Sequence, residues 1–583
     1  MHQLQKLLVE HIDLWTAAFS DKGVRRGRVS ATDRSAYGVS KLRDLILQLA
    51  ASGRLVAQDP CDQDAKDLLK QFELTTKGEP KNKKNDLVHS LRLEKNLPFD
   101  LPGNWKWVYL PEIAKYGVGK TPSTKASEYW SEAENAGFNW VSIADLNDGG
   151  IVHSTTKKIS QKASTDIFKS PPIPAGTLLM SFKLTLGKTS ILDVPAYHNE
   201  AIISIFPNDC VLKEYLLRIL PARARAGNSK SAIKGNTLNS ESLASLTIPL
   251  PPLAEQARIV AKINELMLLC DSLESKSIAS TFAHSRLVEE FLSILIQSKN
   301  DTEFYDAWKK ILNCFDILFT TEDSIYSLKA ALIQLGIMGR LVPQDPKEGT
   351  STAILENIQC NFRGVSKKKL EKLESLSSIN PDEQILRLPQ GWCWAKFPEL
   401  GEFGRGKSKH RPRNDPSLFT PGIYPLVQTG EVARANNVID EYHSKYSEMG
   451  LAQSKLWPAG TLCITIAANI ADAAILGFDA CFPDSVVGFI PSKPFVDARY
   501  FLYYMKTARE DLLKFAPATA QKNINLEILE SLAIPLPPPA EINRIVEKIE
   551  SLMSICDSLI AQIRQASELQ RQLADVLVEQ ALA

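Results

Sequence analysis

The chain has 583 residues, 44% hydrophobic and 23% charged. Those fractions are near globular averages, and the length suggests about four domains or subdomains. With 68 Lys and Arg against 67 Asp and Glu the net charge is +1, so a nucleic-acid binder of this composition must concentrate its positive charge locally. No segment approaches the roughly 18 uncharged apolar residues of a membrane span. The opening MHQLQKLLVEHIDLW lacks a leader pattern, and nine scattered cysteines without a CxxC read as reduced thiols. A cytoplasmic protein with no membrane partner is expected.

In chain order, residues 1–99 form a mostly helical region closing on a polar, lysine-rich connector over 74–97. Residues 100–250 carry short β-branched runs (WVSIADL, GTLLMSF, TSILDV, AIISIF, SLTIPL) broken by Gly, Pro, Asn and Asp, with a helical stretch near 212–220. Pro251 and Pro252 then open a helix over 251–298, since proline suits a first helical turn. Along it Ile259, Ile263, Leu266, Cys270 and Leu273 form a heptad seam, with a second apolar edge at Val260 and Met267. Residues 299–386 are a second helical region, with its own connector at 361–383. Residues 387–536 are again β-rich (IYPLVQ, GTLCITIA, AAILGF, SVVGFI), with a helical stretch over 496–515. Residues 537–583 form a second long helix whose seam is Ile545, Ile549, Leu552, Cys556, Leu559, Ile563 and Ala566, edged by Val546 and Met553. Each long helix is expected to run ~30–40 residues, or ~45–60 Å. Both could be ordinary core helices, but two such similar amphipathic helices in one chain most simply pack on each other as an antiparallel pair.

The similarity is a duplication. LRDLILQLAASGRLVAQDP (Leu42–Pro60) and LKAALIQLGIMGRLVPQDP (Leu328–Pro346) share ten of 19 positions at an offset of 286. LTIPLPPLAEQARIVAKINELMLLCDSL (Leu246–Leu273) and its counterpart at Leu532–Leu559 share 19 of 28 at the same offset. LPGNWKW at 101–107 recurs as LPQGWCW at 388–394, GKT at Gly119 as GKS at Gly406, and IPAGTLL at 173–179 as WPAGTLC at 457–463. Between these markers, 120–245 and 407–531 share little else. One frame carrying two diverged inserts predicts one scaffold presenting two specificities. The fold class expected is α+β: two tandem α+β inserts separated by long helices packed as an antiparallel coiled coil, in an internal two-fold-like repeat.

Both Gly-Lys-hydroxyl loops fit a loose phosphate-loop pattern, but Pro122, Pro412 and Pro416 forbid the helix that would have to follow. Charge is their stronger signal. Arg405, Lys407, Lys409, His410, Arg411 and Arg413 give net +5 in nine residues, with Ser408 among them. Arg and Lys neutralise phosphates, and Arg reads guanine bidentately. This loop, together with Lys120, Thr121 and Ser123 of the first copy, is therefore a candidate DNA contact, as against an ordinary solvated basic loop. Lys183 is a further candidate. A second basic cluster precedes the last strand of each insert: Arg223, Arg225, Lys230 and Lys234 in the first, Gln521, Lys522 and Asn523 in the second. Phosphate positioning suits these better than base readout. Trp105, Trp107, Trp392 and Trp394 read as a core motif at a strand start rather than stacking platforms. No HExxH, cofactor loop, methyltransferase NPPY (SPPI at 170–173 lacks its amide and aromatic) or nuclease E-x-K after Pro483-Asp484 is present. The chain is read as a binder, with no catalytic residue and no metal site.

IPLPPLAEQARIVAKI at 248–263 and IPLPPPAEINRIVEKI at 534–549, with the LPxxW pairs, GKTPS at 119–123, IPAGTLLMSF at 173–182 and the two GRLV helix ends, resemble the repeated regions of type I restriction-modification specificity subunits. The resemblance covers nearly the whole chain, twice. It implies that each insert is a target recognition domain and that the seam residues Ile259, Ile263, Leu266, Leu273, Ile545, Ile549, Leu552 and Leu559 build a spacer and subunit interface. It implies partners: double-stranded DNA, two methylation subunits and two restriction subunits. S-adenosylmethionine, ATP and magnesium would sit on those partners, with no cofactor on this chain. The target would be asymmetric and split, its half-sites a little over one DNA turn of ~34–36 Å apart. A self-contained DNA enzyme and a scaffold or adaptor uncoupled from restriction are the alternatives. The second copy departs from the pattern at Ile542, where the first has Gln256, which puts a helix-start hydrogen bond in doubt. Residues 1–99 and 299–386 would complete the spacer's symmetry and dock methylation subunits.

Overall fold

The computed structural model describes residues 10–17, 19–21, 34–75, 97, 99–131, 137–226, 230–232, 235–237, 240–363, 388–410, 412–467, 469–495, 497–514 and 524–582. Most of both lysine-rich connectors lies outside them. The chain divides into two compact units. One comprises Met1–Phe282 with Ala566–Ala583, the other Ala283–Gln565.

The two long helices run Leu253–Gln297 and Pro539–Leu582, 45 and 44 residues. Both exceed the expected length, because neither span holds a glycine or an internal proline to stop it. Ile259, Ile263 and Leu266 are buried, as are Ile545 and Ile549. Leu273, Leu552 and Leu559 are only half-buried, and Ala566 is exposed. Cys556 of the seam is buried, and beyond it burial passes to Ile560 and Ala574, in line with the second edge at Val546 and Met553, and to Val578.

In the first unit, helix Tyr37–Ala51 buries Val39, Leu42, Leu45, Ile46 and Leu49 in one cluster with Ile259, Ile263, Leu266 and Cys270 of the first long helix and Ala574 and Val578 of the second. Arg43 pairs with Asp271 at 2.7 Å. In the second unit, helix Glu322–Ile337 packs likewise, and Lys329 pairs with Asp557 at 2.7 Å. There Val288, Leu292 and Leu295 share a cluster with Cys556 and Ile560.

Each insert is closed at its neck by the segments the repeat had marked. Lys106–Tyr109 pairs antiparallel with Thr247–Leu250, and Cys393–Ala395 with Ile534–Leu536. The main sheet of the first insert has the order Ala114–Val118, Ile202–Pro207, Leu178–Ser181, Thr189–Leu192, Gly150–Val152. The second repeats it as Gly401–Arg405, Val486–Pro491, Leu462–Thr465, Ala473–Leu476, Val438–Ile439. In both, only the last pair is parallel. Helices Lys213–Ala226 and Arg499–Lys514 occupy the positions expected for the short helical stretches. The four-stranded sheets carry their fourth strand at opposite edges: Trp130–Ser131 pairs beside Lys157–Ile159 in the first insert, whereas Leu456–Trp457 pairs beside Ala480–Cys481, the counterpart of Ala196–His198, in the second.

Candidate nucleic-acid interface

One buried junction ties each insert to its long helix. Trp105 Nε1 donates to Glu255 Oε2 at 2.9 Å, and Gln58, from the GRLVAQDP segment, donates to Oε1 at 2.7 Å. Arg258 grips Asp62 through both terminal nitrogens. The second copy repeats this with Trp392, Gln344 and Glu541 at 3.1 and 3.3 Å, and with Arg544 on Glu348. Burial pushes both the Glu255 and Glu541 carboxyls up, against the indole and amide hydrogen bonds. Three of the four tryptophans are buried, as expected of a core motif. Gln256 donates to the Pro251 and Cys210 carbonyls and accepts from the Leu212 N–H. Ile542 replaces those bonds with burial in the second core, at 6% exposure.

The Gly-Lys loops leave the main sheets after strands, with no helix behind them; short 3-10 turns at Ser127–Tyr129 and Pro416–Leu418 follow. The glycines are there for close approach. A Cβ on Gly119 would lie 2.1 Å from the His198 carbonyl oxygen, and one on Gly406 would lie 2.2 Å from that of Phe482. Burial pushes the His198 imidazole down to about 4, so it stays neutral.

Several sequence-picked cations are already committed. The Lys120 ammonium donates to the Ile167 carbonyl at 2.7 Å. Thr121 and Ser123 are exposed, and the Ser123 carbonyl accepts from Trp130 Nε1. Arg413 is paired with Asp484 at 2.9 Å, and His410 with Asp415 at 2.9 Å. Hydrogen bonds from Ser417 and then His410 hold Asp415 down at about 2. The net +5 read from the loop is therefore reduced by two local acids. Ser408 lies by the Tyr446 hydroxyl. Arg405, Lys407 and Lys409 are exposed, with no side-chain partner among the described residues. Arg223 is a correction: it is 7% exposed, donates to Thr247 and stacks 5.0 Å from the Trp107 ring, so it serves the neck. Arg225 faces Asp148 at 3.5 Å. Lys234, Arg411, Gln521, Lys522 and Asn523 lie outside the described residues.

What the fold does bring together is one end of each main sheet. Val118 sits opposite Ile203 and Ser181 opposite Ile202, so the Lys120 loop and the loop after Ser181 leave the same end. Arg405 opposite Val487 and Thr465 opposite Val486 repeat this. Lys183 and Lys230 flank Thr237 as its two partners in a small three-stranded sheet. Ile524, just past the 521–523 cluster, donates its N–H to the Ile466 carbonyl at 3.0 Å. Of the loops 182–188 and 466–472 the sequence reading picked out only Lys183. Their signal was a hydroxyl at matching places after PAGTL, Ser181 and Thr465.

The sequence pattern of the type I restriction modification DNA specificity domain matches residues 102–280 and 391–568. The chain belongs to the type I restriction-modification specificity family. Its role is DNA sequence specificity in such a system. It is similar to the EcoEI specificity subunit of Escherichia coli, 29% identical over 99% of this chain and 100% of that one. The EcoAI specificity subunit of the same organism is 28% identical over the same shares. The solved HsdS subunit from Thermoanaerobacter tengcongensis aligns over 83% of this chain and 98% of its own at 16% identity, with a TM-score of 0.39.

Proposed function

We propose that the two inserts are target recognition domains reading the two unlike halves of one split, asymmetric DNA site, and that adenine methylation and ATP-dependent cleavage at that site are carried out by two methylation and two restriction subunits. The observation that carries this is one backbone frame, presented twice, with unlike side chains at the corresponding sheet ends. Arg405, Lys407 and Lys409 on the second insert, and Lys183 and Lys230 on the first, are the phosphate-neutralising set. Antiparallel pairing of the long helices is supported by core membership. Cys270 shares a cluster with Ala574 and Val578, while Val288 and Leu295 share one with Cys556 and Ile560, so numbers rise along one helix as they fall along the other. Docking of methylation subunits on 299–386 is supported by Tyr305, Leu312 and Ile317, exposed at 67, 55 and 65%. S-adenosylmethionine, ATP and magnesium belong to the partners, which act in the cytoplasm.

Co-expression with the methylation subunit, followed by mapping of modified adenines across the host genome, tests this. One split, asymmetric motif is the expected result. A stable co-purified complex that marks no motif overturns it.

A further inference from the structure

The loops that follow Ser181 and Thr465 share one set of backbone hydrogen bonds and no residue, with Ala468 of the second lying outside the described residues. In the first, Ser181 N–H bonds the Lys188 carbonyl at 2.9 Å, Gly187 N–H the Ser181 carbonyl at 2.8 Å, and Thr185 N–H the Lys183 carbonyl at 2.9 Å. In the second, Thr465 bonds Asp472, Ala471 bonds Thr465, and Asn469 bonds Ala467, each at 2.9 Å. The fully buried hydroxyls close both loops from inside. Ser181 Oγ donates to the Thr185 carbonyl and accepts from Lys188 N–H at 3.0 Å; Thr465 Oγ1 donates to the Asn469 carbonyl and accepts from Asp472 N–H at 3.1 Å. Gly187 and Ala471, at corresponding places, both have positive φ, 72° and 60°. Yet the residues on this frame are FKLTLGK at 182–188 and IAANIAD at 466–472, with no identity. Phe182 and Leu186, like Ile466 and Ile470, turn into the cores, and the exposed described positions are unlike, Leu184 and Thr185 against Asn469, as two readers of unlike bases need.

Leu184 stands at the first tip. It is 54% exposed, so it packs no core, and its φ is +67°, a backbone that bulky L-residues avoid. The hydroxyl clamp and pairing with Asn236 hold it there. Strain kept at an exposed position points to use. Lys183 precedes it, and the register of the same small sheet sets Lys183 and Lys230 both opposite Thr237, so two lysine positions suited to phosphates lie in the sheet that carries the tip. In the major groove the apolar feature on a base edge is the thymine C5-methyl.

We propose that loops 182–188 and 466–472 are the base-reading elements of the two inserts, and that Leu184 contacts a thymine methyl in one half-site. This rests on the reading of the inserts as DNA readers. The test uses the full complex with the methylation subunit. With Leu184→Ala, the genome-wide methylation motif should lose its requirement for thymine at one position of one half-site. On duplexes, replacing that thymine by uracil, which lacks the methyl, should weaken the wild-type complex about fivefold and leave the variant unaffected. Asn469→Ala should relax only the other half-site. An unchanged motif, equal uracil sensitivity in variant and wild type, or a uniform loss at all sites overturns the loop assignment. A wild-type complex that marks no motif overturns the reading of the inserts on which it rests.

Discussion

Lys407 and Lys409 differ from Arg413 in what a bound phosphate would displace. The two lysines are exposed without partners among the described residues, whereas Arg413 already holds Asp484. Each free cation that replaces condensed counterions adds close to one unit to the slope of log affinity against log salt. Lys407→Ala and Lys409→Ala should therefore each flatten that slope by about one unit, and Arg413→Ala by clearly less, in a fluorescence-anisotropy titration over salt. A larger effect from Arg413 would mean that its ion pair opens on DNA. Gly406 has a different task. Its missing Cβ lets the chain approach the Phe482 and Pro483 carbonyl oxygens, which a methyl would meet at 2.2 and 2.4 Å. Gly406→Ala should cost ~1–3 kcal/mol of stability, read by denaturant unfolding. The doubled Gly-Lys-hydroxyl was visible in the sequence, but this reason was not, because the carbonyls in question come from a distant stretch of chain. The same holds for Asp484, whose neutralisation of Arg413 no local charge count could include.

The Trp–Glu–Gln junction is the element that the repeat preserved most closely. GRLVAQDP, LPGNWKW and IPLPPLAEQ looked like three separate conserved-looking segments of a frame; they meet at one carboxylate, Glu255, fully buried, and again at Glu541, 2% exposed. Burial raises both carboxyl groups above their ordinary range. A carboxyl with a raised folded-state value binds its proton more tightly folded than unfolded. Its contribution is therefore largest at low pH and is lost as pH rises from the unfolded value of about 4.5 through the folded one. Glu255→Gln keeps an oxygen for the Trp105 indole and removes the titration. The stability of the wild type relative to this variant should fall as pH rises across that window, in urea melts at successive pH values. Parallel profiles would show that the hydrogen bonds from Trp105 and Gln58 offset burial, and a rise with pH that they outweigh it. The helix lengths and strand runs were legible from breakers and β-branched residues. The seam register was not: past Cys556 the buried row follows Ile560 and Ala574, seven-residue steps from Val546 and Met553, rather than Leu559 and Ala566, because the neighbouring cores decide which apolar edge is covered.

At the scale of the whole molecule, the duplication makes each half of the sequence look self-sufficient, and the packing does not. The first compact unit takes in Ala566–Ala583 from the far end of the chain. Ala574 and Val578 are in its core, with Leu577, Ala581 and Leu582 packed against it. Asp575 accepts from the Tyr37 hydroxyl at 2.9 Å and pairs with Lys41 at 2.8 Å. The Arg54 guanidinium donates to the Leu582 carbonyl at 2.5 Å, at a helix C-terminus where a cation is favoured. Periodicity alone could mark residues 566–582 as amphipathic, but not say which core they complete. A chain ending at Gln565 should then lose amide-exchange protection along Tyr37–Ala51, whose buried face would be left open. Strands Leu462–Thr465 and Val486–Pro491 of the second unit should keep theirs. The full-length variant Val578→Asp separates packing from truncation. It places an unpaired carboxylate in an apolar cluster, which costs several kcal/mol or drives the group neutral, and it should deprotect the same helix most strongly at neutral pH. Protection of Tyr37–Ala51 that survives both changes would mean that the first unit's core closes without the end of the second long helix.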